Sequence, residues 1–131
     1  MDKCRRLGTG DGGMTVRDCY DKMGGDLGAA LGVLESETRL RRYLIRFLDE
    51  PTARMLFLAL EDARWEDAFR AAHTMKGLCR GLGLTRLYDA SCALAEALRG
   101  GQAPQDDAVI ERVHRDYEAV TRAIRTLGEE A

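Results

Sequence analysis

From Met14 onward, apolar residues recur at steps of three and four, and no stretch alternates with the period of a strand. Thr15 and Asp18 form a T-x-x-D capping pattern, which predicts a first helix ending near Met23, where Gly24 and Gly25 stop it. Asp26 is placed to cap a short second helix to about Leu34. Ser36 is placed to cap a third, to about Leu48, with Leu40, Leu44 and Phe47 at helical spacing. Pro51 suits the first turn of a fourth helix, expected to reach about Ala63. A fifth runs from near Trp65 to about Leu82 and stops at Gly83. A sixth runs from Thr85 to about Arg99, with Leu84, Leu87, Leu94 and Leu98 on or beside one stripe, and Gly100 and Gly101 end it. The last begins near Asp106, with Asp106, Asp107 and Glu111 toward the positive end of its dipole. Its stripe of Val109, Val113, Tyr117, Val120, Ile124 and Leu127 marks one buried face. Short links between such helices predict antiparallel neighbours. The expected fold is all-α: an up-and-down antiparallel four-helix bundle with additional short N-terminal helices, occupying residues 14–131.

Residues 1–13 break the pattern. They are glycine-rich and lack apolar periodicity, so they read as a disordered leader, with Met14 a candidate start beside Met1. Their GTGDGG stretch resembles phosphate-binding glycine loops, but no strand precedes it and no P-loop lysine follows. The 131-residue length suits one domain, and 45% hydrophobic residues suffice for an ordinary core. A formal net charge of -2 argues against a nucleic-acid partner and gives no reason to expect an anionic membrane surface. No apolar run approaches the roughly 18 residues of a membrane span, and no signal-peptide pattern opens the chain, so the expected location is cytoplasmic. Cys4, Cys19, Cys79 and Cys92 form no CxxC pair and read as free thiols, with Cys79 and Cys92 in the core.

The fifth helix carries the candidate chemistry. On a helical wheel Ala68, Ala72, Met75, Cys79 and Leu82 share one apolar sector, which leaves His73 on the opposite, solvent-facing side. Lys76 at i+3, Gly77 at i+4 and Arg80 at i+7 lie on or beside the same outer face. Neutral imidazole is a nucleophile at physiological pH, since its unperturbed pKa is about 6.5. Phosphoryl transfer spreads negative charge over phosphoryl oxygens, which a neighbouring cation stabilises. Lys76 is the first candidate for that contact and Arg80 the second. A mid-helix glycine costs about 1 kcal/mol relative to alanine, so Gly77 suggests that another molecule must come close there. Phe69, one turn before His73, is a candidate for the same docking surface, while Trp65 is expected to pack.

Ala72-His73-Thr74-Met75-Lys76-Gly77, followed by Leu82-Gly83, closely resembles the AHTLKG…LG signature of histidine-containing phosphotransfer (Hpt) domains. The resemblance extends over most of Met14 to Arg99. It implies that His73 is the phosphoacceptor, that Lys76 contacts the phosphoryl group and that Gly77 permits docking. It further implies a phosphorelay intermediate whose partners are response-regulator receiver domains and hybrid or other sensor kinases. The chain would be a phosphocarrier rather than an enzyme, with no ATP-binding kinase domain and no intrinsic cofactor, the divalent metal coming from the partner receiver. Gly81 stands where the family often has Asn or another polar residue, and Leu78 and Cys79 where small polar residues are common. Arg64 stands where Asp often precedes the helix, which weakens an N-cap.

Two other readings compete. A non-catalytic helical interaction module would bind receivers or other signalling proteins through this face without phosphotransfer. A metal-binding bundle would need its His and Cys to converge, yet Cys79 is expected on the far side of the helix from His73. His114, beside Val113 in the last stripe, reads as a surface or boundary residue. The Met55–Leu60 run is apolar all round, so Leu56 and Leu60 are expected inside and the rest in part as a protein-binding patch. A monomer is expected.

Overall fold

The computed structural model describes residues 14–129, so the expected leader lies outside the described residues. Those residues form seven helices and no strand: α1 (Val16–Met23), α2 (Leu27–Leu34), α3 (Glu37–Phe47), α4 (Thr52–Glu61), α5 (Trp65–Leu82), α6 (Thr85–Ala97) and α7 (Ala108–Glu129). None of these helices is long and apolar enough to cross a membrane.

Local chemistry sets most boundaries. The Thr15 hydroxyl accepts the Asp18 N–H at 3.0 Å, and the Asp18 carboxylate accepts the Thr15 N–H at 3.2 Å, completing a capping box on α1. Asp26 and Ser36 cap α2 and α3 by accepting the Ala29 and Arg39 N–H groups. Pro51 stands one residue before α4, at its N-cap position. Helix α6 stops two residues earlier than expected, at Ala97, because the chain turns through Gly100 and Gly101 at φ 85° and 73°.

The architecture is an all-helical bundle around one core. Helix α5 packs against α4 on one side and α6 on the other; α7 packs against α6, α1 and α3. Leu40, Leu44, Leu56, Met75, Leu84, Leu87, Leu94, Leu98, Ile124 and Leu127 are essentially inaccessible to solvent. The Met55–Leu60 run divides as its all-round apolarity suggested: Leu56 and Leu60 are buried, while Met55 and Leu58 are exposed. Two details differ from the sequence reading. Cys92 is only half-buried, unlike Cys79. The buried arc of α7 is also broader than one stripe. It includes Asp116, Thr121 and Ala123, whereas Val109 and Tyr117 are half-buried, because α7 serves neighbours in several directions.

Helices α1 and α2 brace the C-terminal end of α5. The Tyr20 hydroxyl, buried in the core, donates to the Leu82 carbonyl at 2.6 Å, satisfying a helix-end acceptor that has no partner within the helix. The Asp26 N–H donates to the Gly83 carbonyl at 2.8 Å, and the Arg86 N–H to the Gly24 carbonyl at 3.1 Å. Gly83 holds φ +66°, and a Cβ there would lie 2.6 Å from the Asp26 carbonyl oxygen. Glycine is required at this position both by the left-handed turn and by the close approach.

Candidate functional site

Helix α5 is fixed along its inner side. Ala68, Ala71, Ala72, Met75, Cys79 and Leu82 are buried, and the three alanines lie beside the level of His73, where they let neighbouring helices come close. Burial pushes the Cys79 thiol up to about 12, so it rests as a neutral core side chain. At the N-terminal end Arg64 makes no side-chain cap. Its guanidinium instead meets Asp67 at 3.0 Å, while Arg70 meets the other oxygen of the same carboxylate at 2.7 Å. Hydrogen bonds from Arg64 and Arg70 hold the Asp67 carboxyl below its ordinary range. The carboxylate also lies in the first turn, where negative charge is favoured.

His73 is exposed midway along this rod. Its ring lies near that of Phe69, centroids 6.3 Å apart and planes 25° from parallel. Lys76, one turn on, is half-buried along its stem. Gly77 is exposed and Gly81 half-buried, and a Cβ built at either would meet nothing within 4 Å. Helix packing therefore does not explain either glycine. Together they leave a strip of bare backbone running from His73 toward the C-terminal end of α5.

Arg80 has a partner on α6 that the sequence does not mark. It does lie on the outer side, but its guanidinium donates to the Tyr88 hydroxyl at 2.9 Å and rests over the Tyr88 ring at 5.5 Å. That bond ties Arg80 to α6. Phe69 is also more than a surface group: it is partly buried against the core, and Arg99 from the end of α6 lies over its ring at 6.0 Å. Arg99 in turn chelates the Glu96 carboxylate with bonds of 3.0–3.2 Å. Neither Arg99 nor Glu96 is marked in the sequence, because no motif places them near His73; only the α5–α6 packing does.

The exposed large apolar side chains of the described residues are Val33, Tyr43, Met55 and Leu58. All four border the same flank of α5. Val33 and Tyr43 line a groove with Gly77, Leu78 and Gly81. Met55 and Leu58 line another with Ala71 and Thr74. The face around His73 is thus apolar on the α3–α4 side and charged on the α6 side. Among the described residues no three His, Cys, Asp or Glu side chains are grouped as a metal site needs. His73 and Cys79 do not converge.

No curated protein and no solved structure matches this chain. A family model does: residues 40–123, well over half of the chain, match the Hpt domain, and the match spans α4 to α6 with nearly all of α3 and most of α7. It includes His73, Lys76, Gly77, Gly83, Glu96 and Arg99 and leaves α1 and α2 outside. On that match and the all-helical architecture, the chain belongs to the Hpt domain family, whose members are phosphocarriers of phosphorelays.

Proposed function

We propose that this protein is a phosphorelay intermediate that accepts a phosphoryl group on His73 from the aspartate of one receiver domain and donates it to another. The observation that carries the reading is the exposed imidazole of His73 with Lys76 one turn on and bare backbone at Gly77, inside the segment that matches the family. In the forward step the His73 Nε2 lone pair attacks phosphorus. The Nε2–P bond forms as the P–O bond to the aspartate breaks. The electron pair leaves on the aspartate carboxylate, and Nδ1 keeps its proton. Lys76 is the residue proposed to meet the phosphoryl oxygens, since negative charge develops there and a cation one turn from His73 stabilises it. Arg80 is assigned to the edge of the docking surface instead, given its bond to Tyr88. The divalent metal that such a transfer uses would be the receiver's.

The apolar flank supports a protein partner rather than a small molecule. Val33, Tyr43, Met55 and Leu58 are 40–61% exposed and lie within reach of one docking partner. Clustered exposed apolar side chains mark protein interfaces. Receivers, and the kinases that carry them, are the proposed partners, and the cytoplasm the proposed setting. The test is incubation with phosphorylated receivers from the same genome, comparing wild type with His73→Gln. Label on wild type and none on the variant is expected. Equal labelling removes His73 as acceptor. Receiver binding without transfer favours the interaction-module reading.

A further inference from the structure

The charged flank of the site holds an anion where a phosphoryl acceptor would be expected to hold only cations. Glu96, on α6, accepts the Arg99 guanidinium through both carboxylate oxygens at 3.0–3.2 Å. Its carboxyl is held below the ordinary range first by those bonds and, in part, by the Lys76 ammonium. Arg99 lies over the Phe69 ring at 6.0 Å, and the Phe69 ring lies 6.3 Å from that of His73. The turn after α6 keeps this arrangement near the start of α5, since a Cβ on Gly101 would be 3.6 Å from the Glu66 Cβ. Following the neighbours gives a chain from His73 through Phe69 and Arg99 to Glu96. The Arg99 guanidinium on this edge is therefore held by one carboxylate.

Building on the phosphocarrier reading, we propose that Glu96 is a resident counter-anion of the phosphoryl site, holding Arg99 against Phe69 beside the bare histidine and yielding it when His73 becomes phosphorylated. A phosphoryl group on Nε2 brings up to two negative charges to a place where one already stands. Arg99 is then drawn to the phosphoryl oxygens, and the Glu96 carboxylate is left to water, which its exposure allows at little cost. Glu96 never touches the reacting atoms. It is a positioning residue that keeps a flexible cation ordered before transfer and weakens its hold on the group after it. A relay intermediate benefits from both effects, because it must release what it accepts.

The test uses the full chain labelled with phosphoramidate, which needs no partner. The P–N bond of the donor breaks, ammonia leaves, and the Nε2–P bond forms on His73. The phosphorus signal absent from His73→Gln is then titrated by 31P NMR in wild type, Glu96→Gln and Arg99→Gln. Neighbouring cations favour the doubly charged phosphoryl form and a neighbouring anion opposes it. The charged groups of α5 around the site (Glu66, Arg70, Lys76 and Arg80) are the same in all three proteins. Glu96→Gln is expected to lower the phosphoryl midpoint by about 0.3 pH unit at low salt, and Arg99→Gln to raise it, in keeping with exposed pairs. Both shifts should collapse in 1 M salt, where screening is nearly complete beyond a few ångströms. A purely structural role would move neither midpoint and would show no salt dependence. The control is Glu118→Gln, an exposed glutamate paired with Arg122 on α7. An unmoved midpoint in Glu96→Gln, a shift that survives 1 M salt, or an equal shift from Glu118→Gln overturns the role of Glu96 and leaves the phosphocarrier reading standing. A wild-type chain that takes no label overturns both.

Discussion

The described chain carries two exposed histidines on helices, each facing a phenylalanine, and their surroundings separate them. His114 on α7 is stacked on Phe57, ring centroids 4.0 Å apart and planes 17° from parallel. One turn on, at i+3, stands Tyr117, which packs edge-on against Phe57 and also against Phe47. At i+4 stands Glu118, paired with Arg122 at 3.6 Å. A phosphoryl group brought to His114 would meet a carboxylate and an aromatic wall, with one face of the imidazole already covered. His73 has a lysine at i+3, no side chain at i+4 and a looser aromatic neighbour at 6.3 Å. Exposure alone therefore does not mark a reactive histidine. The residues one turn away decide whether an anion and the protein that carries it can approach.

The largest test of that contrast is the loss of one imidazole. His73→Gln keeps the helix and its exposed position but removes the nucleophile, so labelling by a phosphorylated receiver is expected to vanish. Next in size is closure of the bare strip. Because a Cβ at Gly77 meets nothing, Gly77→Trp should fold as wild type does, with an unchanged or slightly raised melting temperature. Transfer should nonetheless fall on the order of 100-fold, as an indole standing beside His73 prevents close approach. Gly81→Ala adds only a methyl group farther along the strip. It should raise stability by about 0.5–1 kcal/mol in denaturant melts, through helix propensity alone, and leave transfer nearly intact. A transfer-competent Gly77→Trp would mean that partners approach from elsewhere.

Smaller still is the effect of single charges. Lys76→Ala is expected to slow transfer roughly tenfold, an intermediate figure for an exposed cation that stabilises developing charge. Arg80→Ala should change the rate less than about threefold, because its guanidinium is engaged by Tyr88. Rapid-quench kinetics with one receiver resolves the two. A reversal of their order would return Arg80 to the phosphoryl group and make the Tyr88 bond a resting state.

Much of this geometry is local and was therefore legible. The caps at Thr15, Asp26 and Ser36 and the glycine stop at Gly83 depend on residues within a few positions of one another. The inner side of α5 and the exposure of His73 follow from helical periodicity in a segment with alanine, methionine and cysteine on one side and charge on the other. What stayed hidden depends on contacts between distant segments. The Tyr20 bond to Leu82 joins residues 62 positions apart, and no propensity encodes it. Arg99 and Glu96 read as ordinary surface charges until α6 lies against α5. Arg80 looked available because the wheel shows direction but not a tyrosine on the next helix. Asp116 is the sharpest failure of pattern reading: a carboxylate 5% exposed on the inner arc of α7, with Arg112 and Arg115 at 3.9 and 3.7 Å. The stripe stepped over it, since a polar letter among Val113 and Val120 ordinarily marks the solvent side.

The smallest expected effect lies at the other histidine, and it bears on the contrast most directly. In His114→Gln the ring that covers Phe57 is lost, while the polar edge and helix propensity are roughly kept. Aromatic pairs contribute about 0.5–1.5 kcal/mol beyond area burial, and an exposed pair belongs near the low end. Phe57 keeps its contact with Tyr117, at 5.6 Å between centroids, so the packing between α4 and α7 persists. The stability loss should stay below about 1 kcal/mol in a urea melt. Phosphotransfer from a receiver should match wild type in rate and extent. A variant that melts as wild type does yet labels poorly would place His114 in the reaction. The lysine and the bare backbone beside His73 would then no longer distinguish one imidazole from the other.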